Sequence, residues 1–388
     1  PPPPPPPLFF FHAEAAIGDA QESRGLGDVY KRQEIDNLMP TVDPLILDTC
    51  SRLFTEQCSP AVVNAAEEGD WPVELWTAIE AAGLSLAWVP EKYGGVDGSL
   101  TDGFAISRAA AAHAVPVPLA ETLLAGWLLA EAGLDCPIGP MSVSTTVLTL
   151  DSEQRLSGSA KRIPFAAKSE YLAVLACTQR DNLCAVLVPC SDLNINPHPN
   201  LAGEMAADVT FTNSIPIAVI NCRPDQSTRL SQMGAVMRSQ QIAGGLAHVL
   251  EQCIEYAGDR QQFGRPIGRF QAIQHNLAML AGEAAAASSA ADAAVRAMEQ
   301  HGLDDPRTRI AVASAKVRSG EAAGTGAAIA HQVHGAMGYT HEYSLQHYTR
   351  RLWSWRDDFG SESVWAVQLG NQVAAAGHQS LWPVLSDF

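Results

Sequence analysis

A chain of 388 residues, 47% of them hydrophobic, can bury one large core or roughly two to three ordinary ones. Acidic residues outnumber basic ones 42 to 25, the formal net charge is -17, and no basic run is present, which argues against a nucleic-acid partner. No apolar, charge-free stretch reaches the roughly 20 residues that span a bilayer, so the chain reads as soluble. The eight cysteines (Cys50, Cys58, Cys136, Cys177, Cys184, Cys190, Cys222, Cys253) form no Cys-x-x-Cys pair and no zinc-like spacing, and read as reduced thiols of a cytoplasmic protein.

Residues 1–33 hold seven prolines, Leu8-Phe9-Phe10-Phe11 and a polar stretch ending Asp28-Val29-Tyr30-Lys31-Arg32-Gln33. Neither helix nor strand periodicity runs through them, and Gly25–Gln33 looks like translated adapter sequence, so they are expected to be a non-native or disordered leader. From 34 to 135, apolar residues recur at helical spacing, as in Leu45, Leu47, Cys50 and Leu53, interrupted by the turn-rich Val89-Pro90-Glu91-Lys92-Tyr93-Gly94-Gly95. Between 136 and 222 the pattern changes to short β-branched runs: Val143–Leu150, Tyr171–Cys177, Cys184–Val188, Val209–Phe211 and Ile215–Ile220. This predicts a small antiparallel β domain. From 223 to 388 the chain is Ala-rich and periodic, with breaks near Gly264-Arg265-Pro266, His301–Pro306 and Gly335–Glu342, which predicts a four-helix bundle.

Two segments of the last region carry chemistry. Arg260-Gln261-Gln262-Phe263-Gly264-Arg265-Pro266-Ile267, continuing to Phe270-Gln271, places an arginine, amides and an aromatic at a helix-ending turn. Such a set can grip a phosphate and cover a flat ring; a solvated cap with a buried Phe is the other reading. Gln332-Val333-His334-Gly335-Ala336-Met337-Gly338 runs a helix into a glycine-bearing turn, where a backbone can approach a ligand closely. His331 and His334 lack a third ligand at useful spacing, so no metal is expected. No Gly-x-Gly-x-x-Gly follows a strand, which argues against a Rossmann nicotinamide site. Gly320, Gly324 and Gly326 read as small residues for close helix packing.

Together these segments resemble the acyl-CoA dehydrogenase family, in its Arg-x-x-Phe-Gly-x-Pro-Ile…Phe-Gln and Gln-x-x-Gly-Gly-x-Gly patterns. Gly83-Leu84 and Val89-Pro90-Glu91…Gly94-Gly95 are similar to a further family loop, and the resemblance covers the chain from about Glu34 onward. It implies a mainly α fold: an N-terminal helical domain, a middle β domain and a C-terminal four-helix bundle. It also implies FAD as cofactor, an acyl-CoA substrate, α,β-dehydrogenation as the reaction, and an electron-transfer flavoprotein as the family's expected electron acceptor. In relatives, residues matching Arg260, Gln262, Phe263 and Gln271 reach the diphosphate half of the FAD of a neighbouring subunit, and those matching Gln332, Gly335 and Ala336 contact the same half. Ser361 falls among the cofactor contacts, and a second subunit, identical or not, is implied. The chain departs from the pattern at Ala336, where a glycine is usual, and in the middle domain, which lacks the usual Thr-Glu-Pro…Gly-Ser-Asp segment. Ala160-Lys161-Arg162-Ile163-Pro164-Phe165 resembles the strand and turn that face the flavin.

Removing the Cα proton of a thioester requires a general base within hydrogen-bond reach. Most relatives place a glutamate at the position that here is Phe359, and a minority place it on the first bundle helix, where this chain offers Arg238. Asp357, Asp358 and Glu362 flank the vacancy, and Asp358 is the first candidate; a solvated charge pair at a helix start is the other reading of Asp357 and Asp358. The double departure also resembles the subunits of bacterial heteromeric members, including those acting on steroid side-chain CoA esters, in which one subunit bears the base and its partner lacks it.

Overall fold

The computed structural model describes residues 42–377. The leader 1–33 and residues 378–388 lie outside the described residues. Among the described residues, five α-helices come first: α1 (Pro44–Gln57), α2 (Pro60–Glu67), α3 (Val73–Ala81), α4 (Leu100–Ala112) and α5 (Leu119–Ala132). Two starts are written in the sequence. Asp43 accepts from the Leu45 N–H ahead of Pro44, and Ser99 and Asp102 form a reciprocal capping box. The register of α1 is not the one its leucines suggest: Cys50 and Phe54 are buried, whereas Leu45 and Leu47 face outward. α5 is buried on almost every side from Leu119 to Leu129, and it carries Glu121 into the interior.

Seven strands follow, β1 (Met141–Leu150), β2 (Leu156–Pro164), β3 (Tyr171–Thr178), β4 (Leu183–Pro189), β5 (Asn194–Pro199), β6 (Met205–Ser214) and β7 (Ala218–Asn221), in the order β5-β6-β2-β1-β3-β4-β7. The expected antiparallel domain needs one correction, because β1 and β3 pair in parallel. No crossover helix is required for this. β2 makes the return trip antiparallel to β1, and a short loop then crosses the start of β1, tied by Ser142 Oγ to Pro164 O (2.6 Å) and Glu170 N to Pro140 O (2.7 Å). Residue pattern alone showed neither of two strands. β2, rich in Gly, Ser and charge, was signalled only by the resemblance of Ala160–Phe165 to a family strand and turn, and β5 is an edge strand holding Pro197 and Pro199, which an edge tolerates. The central strands alternate faces: Val143, Ala173, Leu175 and Leu187 join the core shared with α5, while Leu148, Leu172, Val174 and Val188 fill a second core.

The bundle consists of α6 (Gln226–Asp259), α7 (Gln271–His301), α8 (Pro306–His334), and a fourth segment broken into α9 (Leu345–Asp357) and α10 (Glu362–Ala376). The break at 358–361 contains Phe359 and Gly360, both with positive φ (55° and 99°). Close approach is allowed by small residues. A Cβ at Gly244 would lie 2.2 Å from Arg108 O of α4, and one at Gly326 would lie 2.5 Å from Leu246. Gly320 and Gly324 serve differently, leaving room for Glu362 and Arg356, which pair at 2.5 Å.

Candidate functional site

α6 and α8 run the same way and α7 runs against them, so the end of α6, the start of α7 and the end of α8 meet at one end of the bundle. Aromatic contacts lock this end together. Tyr256 stacks on His334 (4.4 Å) and donates to His334 O (3.3 Å), and His331 stacks on Tyr339 (4.2 Å) with Nε2 3.0 Å from Thr349 Oγ1. Burial holds both histidines below the usual histidine range. Arg260 closes α6, and a hairpin of β8 (Gln261–Gln262) and β9 (Arg265–Pro266) follows. Its two tip residues, Phe263 and Gly264, both have positive φ, the requirement of a tight type I′ turn. Phe263 is 92% exposed, so the alternative of a buried Phe does not hold. Arg260, Gln262, Gln271, Gln332, Gly335 and Ala336 are exposed around it.

The structure thus brings together all the residues matched to the ADP half of a flavin. One guanidinium without an ion pair among the described residues, three amides and a glycine (φ 59°) with open space beside it suit a diphosphate and ribose in the chemistry of their donors. Met337, Tyr339 and Ile254 add exposed apolar surface around the polar groups.

Asp358, Phe359 and Ser361 lie elsewhere, at the junction of α9 and α10. Arg238, beside them, stands about 30 Å along α6 from its C-terminal end. Arg238 is 1% exposed; it donates to Glu121 Oε1 (2.7 Å), Gln241 Oε1 (2.5 Å) and Asp358 Oδ2 (3.1 Å). Burial opposes its charge, but Glu121, Asp358 and Glu204 outweigh burial and raise its proton affinity above that of an ordinary arginine. Phe359 packs on α6, where a Cβ at Gly234 would lie 2.2 Å from its ring, and Trp365 Nε1 donates to its carbonyl (2.9 Å). Asp357 is exposed, and Ser361 opens onto a polar cleft of about 660 Å³ with Thr325, Arg356 and Ser363.

Sequence reasoning missed a run of buried charges that leads from Arg238 through Glu204 and Arg351 to Glu67. Glu204, whose carboxyl is pushed up by burial with Arg351 and Arg238 pulling the other way, lies 3.6 Å from Arg351. Glu67 receives His347 (3.1 Å) and Arg350 (2.5 Å); burial acts against its charge, yet these partners and Arg351 hold it down to about 2. The space between the Phe165 turn and Arg351 is about 20 Å³, room for one water. The one signal available was a charge inside an apolar helical run, as at Glu121 and Lys316.

The family model for the acyl-CoA dehydrogenase N-terminal domain matches residues 43–135, and that for the C-terminal domain matches 227–364. Acyl-CoA dehydrogenase IpdE2 of Mycolicibacterium smegmatis is 28% identical over 312 residues, covering 79% of this chain and 91% of the relative. Its Mycobacterium tuberculosis counterpart is 29% identical over 319 residues, covering 80% and 91%. Among solved structures, the ChsE4–ChsE5 complex from Mycobacterium tuberculosis superposes with a TM-score of 0.78 at 19% identity over 86% of this chain and 98% of that one. A variant of the Tcur3481–Tcur3483 steroid ACAD superposes at 0.76 with 22% identity, over 85% and 97%. At these identities the structural likeness speaks for the fold.

Proposed function

Because the chain belongs to the acyl-CoA dehydrogenase family, we propose that it works in FAD-dependent α,β-dehydrogenation of an acyl-CoA thioester as the base-deficient subunit of a heteromer. The observation that carries this reading is the junction at 358–361. Phe359 fills the place next to α6, and Asp358, the first candidate base, is engaged by the buried Arg238. When bound, FAD accepts the hydride from Cβ. This chain's residues would hold the ADP half of a flavin seated mainly in the partner: Arg260 and Gln332 on the diphosphate, Gln262 and Gln271 beside it, Gly335 and Ala336 giving the backbone access, and the Phe263 ring covering the nucleotide.

The second subunit covers the apolar crown of Phe263, Tyr339 and Met337. The two-chain assemblies among the similar structures support a different acyl-CoA dehydrogenase chain as that partner; an electron-transfer flavoprotein as electron acceptor is what the family implies, and the cytoplasm is the location proposed from the scattered cysteines. A second reading, a self-sufficient enzyme with Asp358 as base, draws on the one-third exposure of the Asp358 side chain next to position 359. The deciding experiment is a visible spectrum of the chain purified alone and after co-expression with a base-bearing partner, followed by anaerobic titration with fatty and steroid side-chain acyl-CoAs. The heteromer reading expects a flavin spectrum and bleaching only in the co-expressed complex. Bleaching of the lone chain would overturn it.

A further inference from the structure

Lys316 sits in an apolar stretch of α8, between Ala315 and Val317, and is fully buried. An ammonium is placed there against a substantial desolvation cost. Its Nζ donates to Trp355 O (3.2 Å) and Arg356 O (2.6 Å), two carbonyls of the last turn of α9. A helix end normally satisfies such carbonyls with backbone N–H groups from the residues that follow. Here the chain leaves α9 through a turn, an extended Asp358 followed by the left-handed Phe359 and Gly360, and among the described residues no backbone N–H of 358–361 makes a hydrogen bond of ordinary geometry to the Trp355 or Arg356 carbonyl. The cap is therefore supplied by a side chain from a different helix.

The conformation that this cap accompanies is a costly one. A bulky aromatic in the left-handed region is a backbone outlier, and outliers of this kind persist only where their surroundings over-determine them. Three further restraints converge on the turn: the Arg238 to Asp358 contact, the Phe359 ring against Gly234, and the Trp365 indole on the Phe359 carbonyl. On the α9 side the turn is held by Lys316, and the Arg356 to Glu362 pair spans it.

We propose that Lys316 is a positioning residue: its ammonium caps α9 in trans and so fixes the 357–361 turn, which sets where Asp358, Phe359 and Ser361 stand against α6 and the polar cleft. The link to the reaction rests on the function proposed above, whereas the capping itself can be measured on the chain alone. In Lys316→Met, which keeps the length and removes the donors, hydrogen exchange of the Trp365 indole, which donates to Phe359 O, and of the Val364 and Trp365 amides, which donate to Ser361 O, is expected to accelerate roughly 10- to 100-fold, the loss of hydrogen bonds to a charged group. Lys316→Arg, which can still donate to both carbonyls, should restore much of the protection. In the flavin-loaded complex, the methionine variant should also change the visible circular dichroism of the flavin while leaving its occupancy intact.

Local exchange that stays at the wild-type rate in Lys316→Met, or that accelerates no more than α7 and the sheet do, would overturn the proposal. If Lys316→Met does not fold, Lys316→Gln, with one amide donor for the two carbonyls, is read by the same criterion. A colourless complex would count against the proposed function and leave the exchange result to decide the capping.

Discussion

Arg238 and Glu121 show how much a single buried charge depends on its partner. With both side chains almost completely buried and 2.7 Å apart, removing one leaves the other uncompensated. Arg238→Met is expected to cost about 3–5 kcal/mol in denaturant melts, and adding Glu121→Gln should return part of that loss. Asp358 tests chemistry rather than stability. As counter-ion of Arg238 in a base-deficient subunit, its replacement by Asn should change turnover of the reconstituted complex by less than about 10-fold, whereas loss of a general base costs about 10²–10⁴-fold. A single-turnover measurement of flavin reduction separates the two. At the other end of the bundle, Arg260→Ala should lower flavin occupancy through loss of a charge-assisted contact, read directly from the ratio of visible to protein absorbance.

At the level of elements, the β8–β9 hairpin is built to present Phe263 rather than to hide it. Phe263→Ala should therefore leave the unfolding free energy within about 0.5 kcal/mol while weakening subunit association, as sedimentation would show. The bundle helices carry a pH dependence of definite sign. His248, stacked on Tyr348 at 4.1 Å, is lowered by burial from 6.5 to about 4, and His331 and His334 are lowered in the same direction. The unfolded chain then binds protons more readily than the folded one between these values. The stability involved is intact above about pH 6.5 and is lost as pH falls through the folded values. For His248 alone the change is on the order of 3 kcal/mol. The melting temperature should drop between pH 7 and pH 5, and His248→Phe should make that drop smaller.

Over the whole molecule, the sequence by itself determined what local chemistry and spacing can encode. The breaks at Gly264-Arg265-Pro266 and at Gly335 divided the bundle, the turn-rich Val89–Gly95 interrupted the first helices, and Arg260, Phe263 and Gln332 in their motifs pointed to the family and its cofactor. These residues are legible because each works within a few positions of its neighbours along the chain. What needed the tertiary structure were features made by segments far apart. The parallel β1–β3 pair depends on where the loop after β2 crosses, and β5 is a strand only because β6 lies beside its prolines. The junction at 358–361 is the clearest case, since Asp358 reads as a free carboxylate in the sequence and meets Arg238 only once α6 and α9 pack. Glu121 and Lys316 are charges set among apolar neighbours in their helices, and nothing nearby in sequence names their partners. Those partners are 117 residues away for Glu121 and about 40 for Lys316. Long-range ion pairing in a low-dielectric interior is set by packing, so its consequences for the candidate base were decided only in three dimensions.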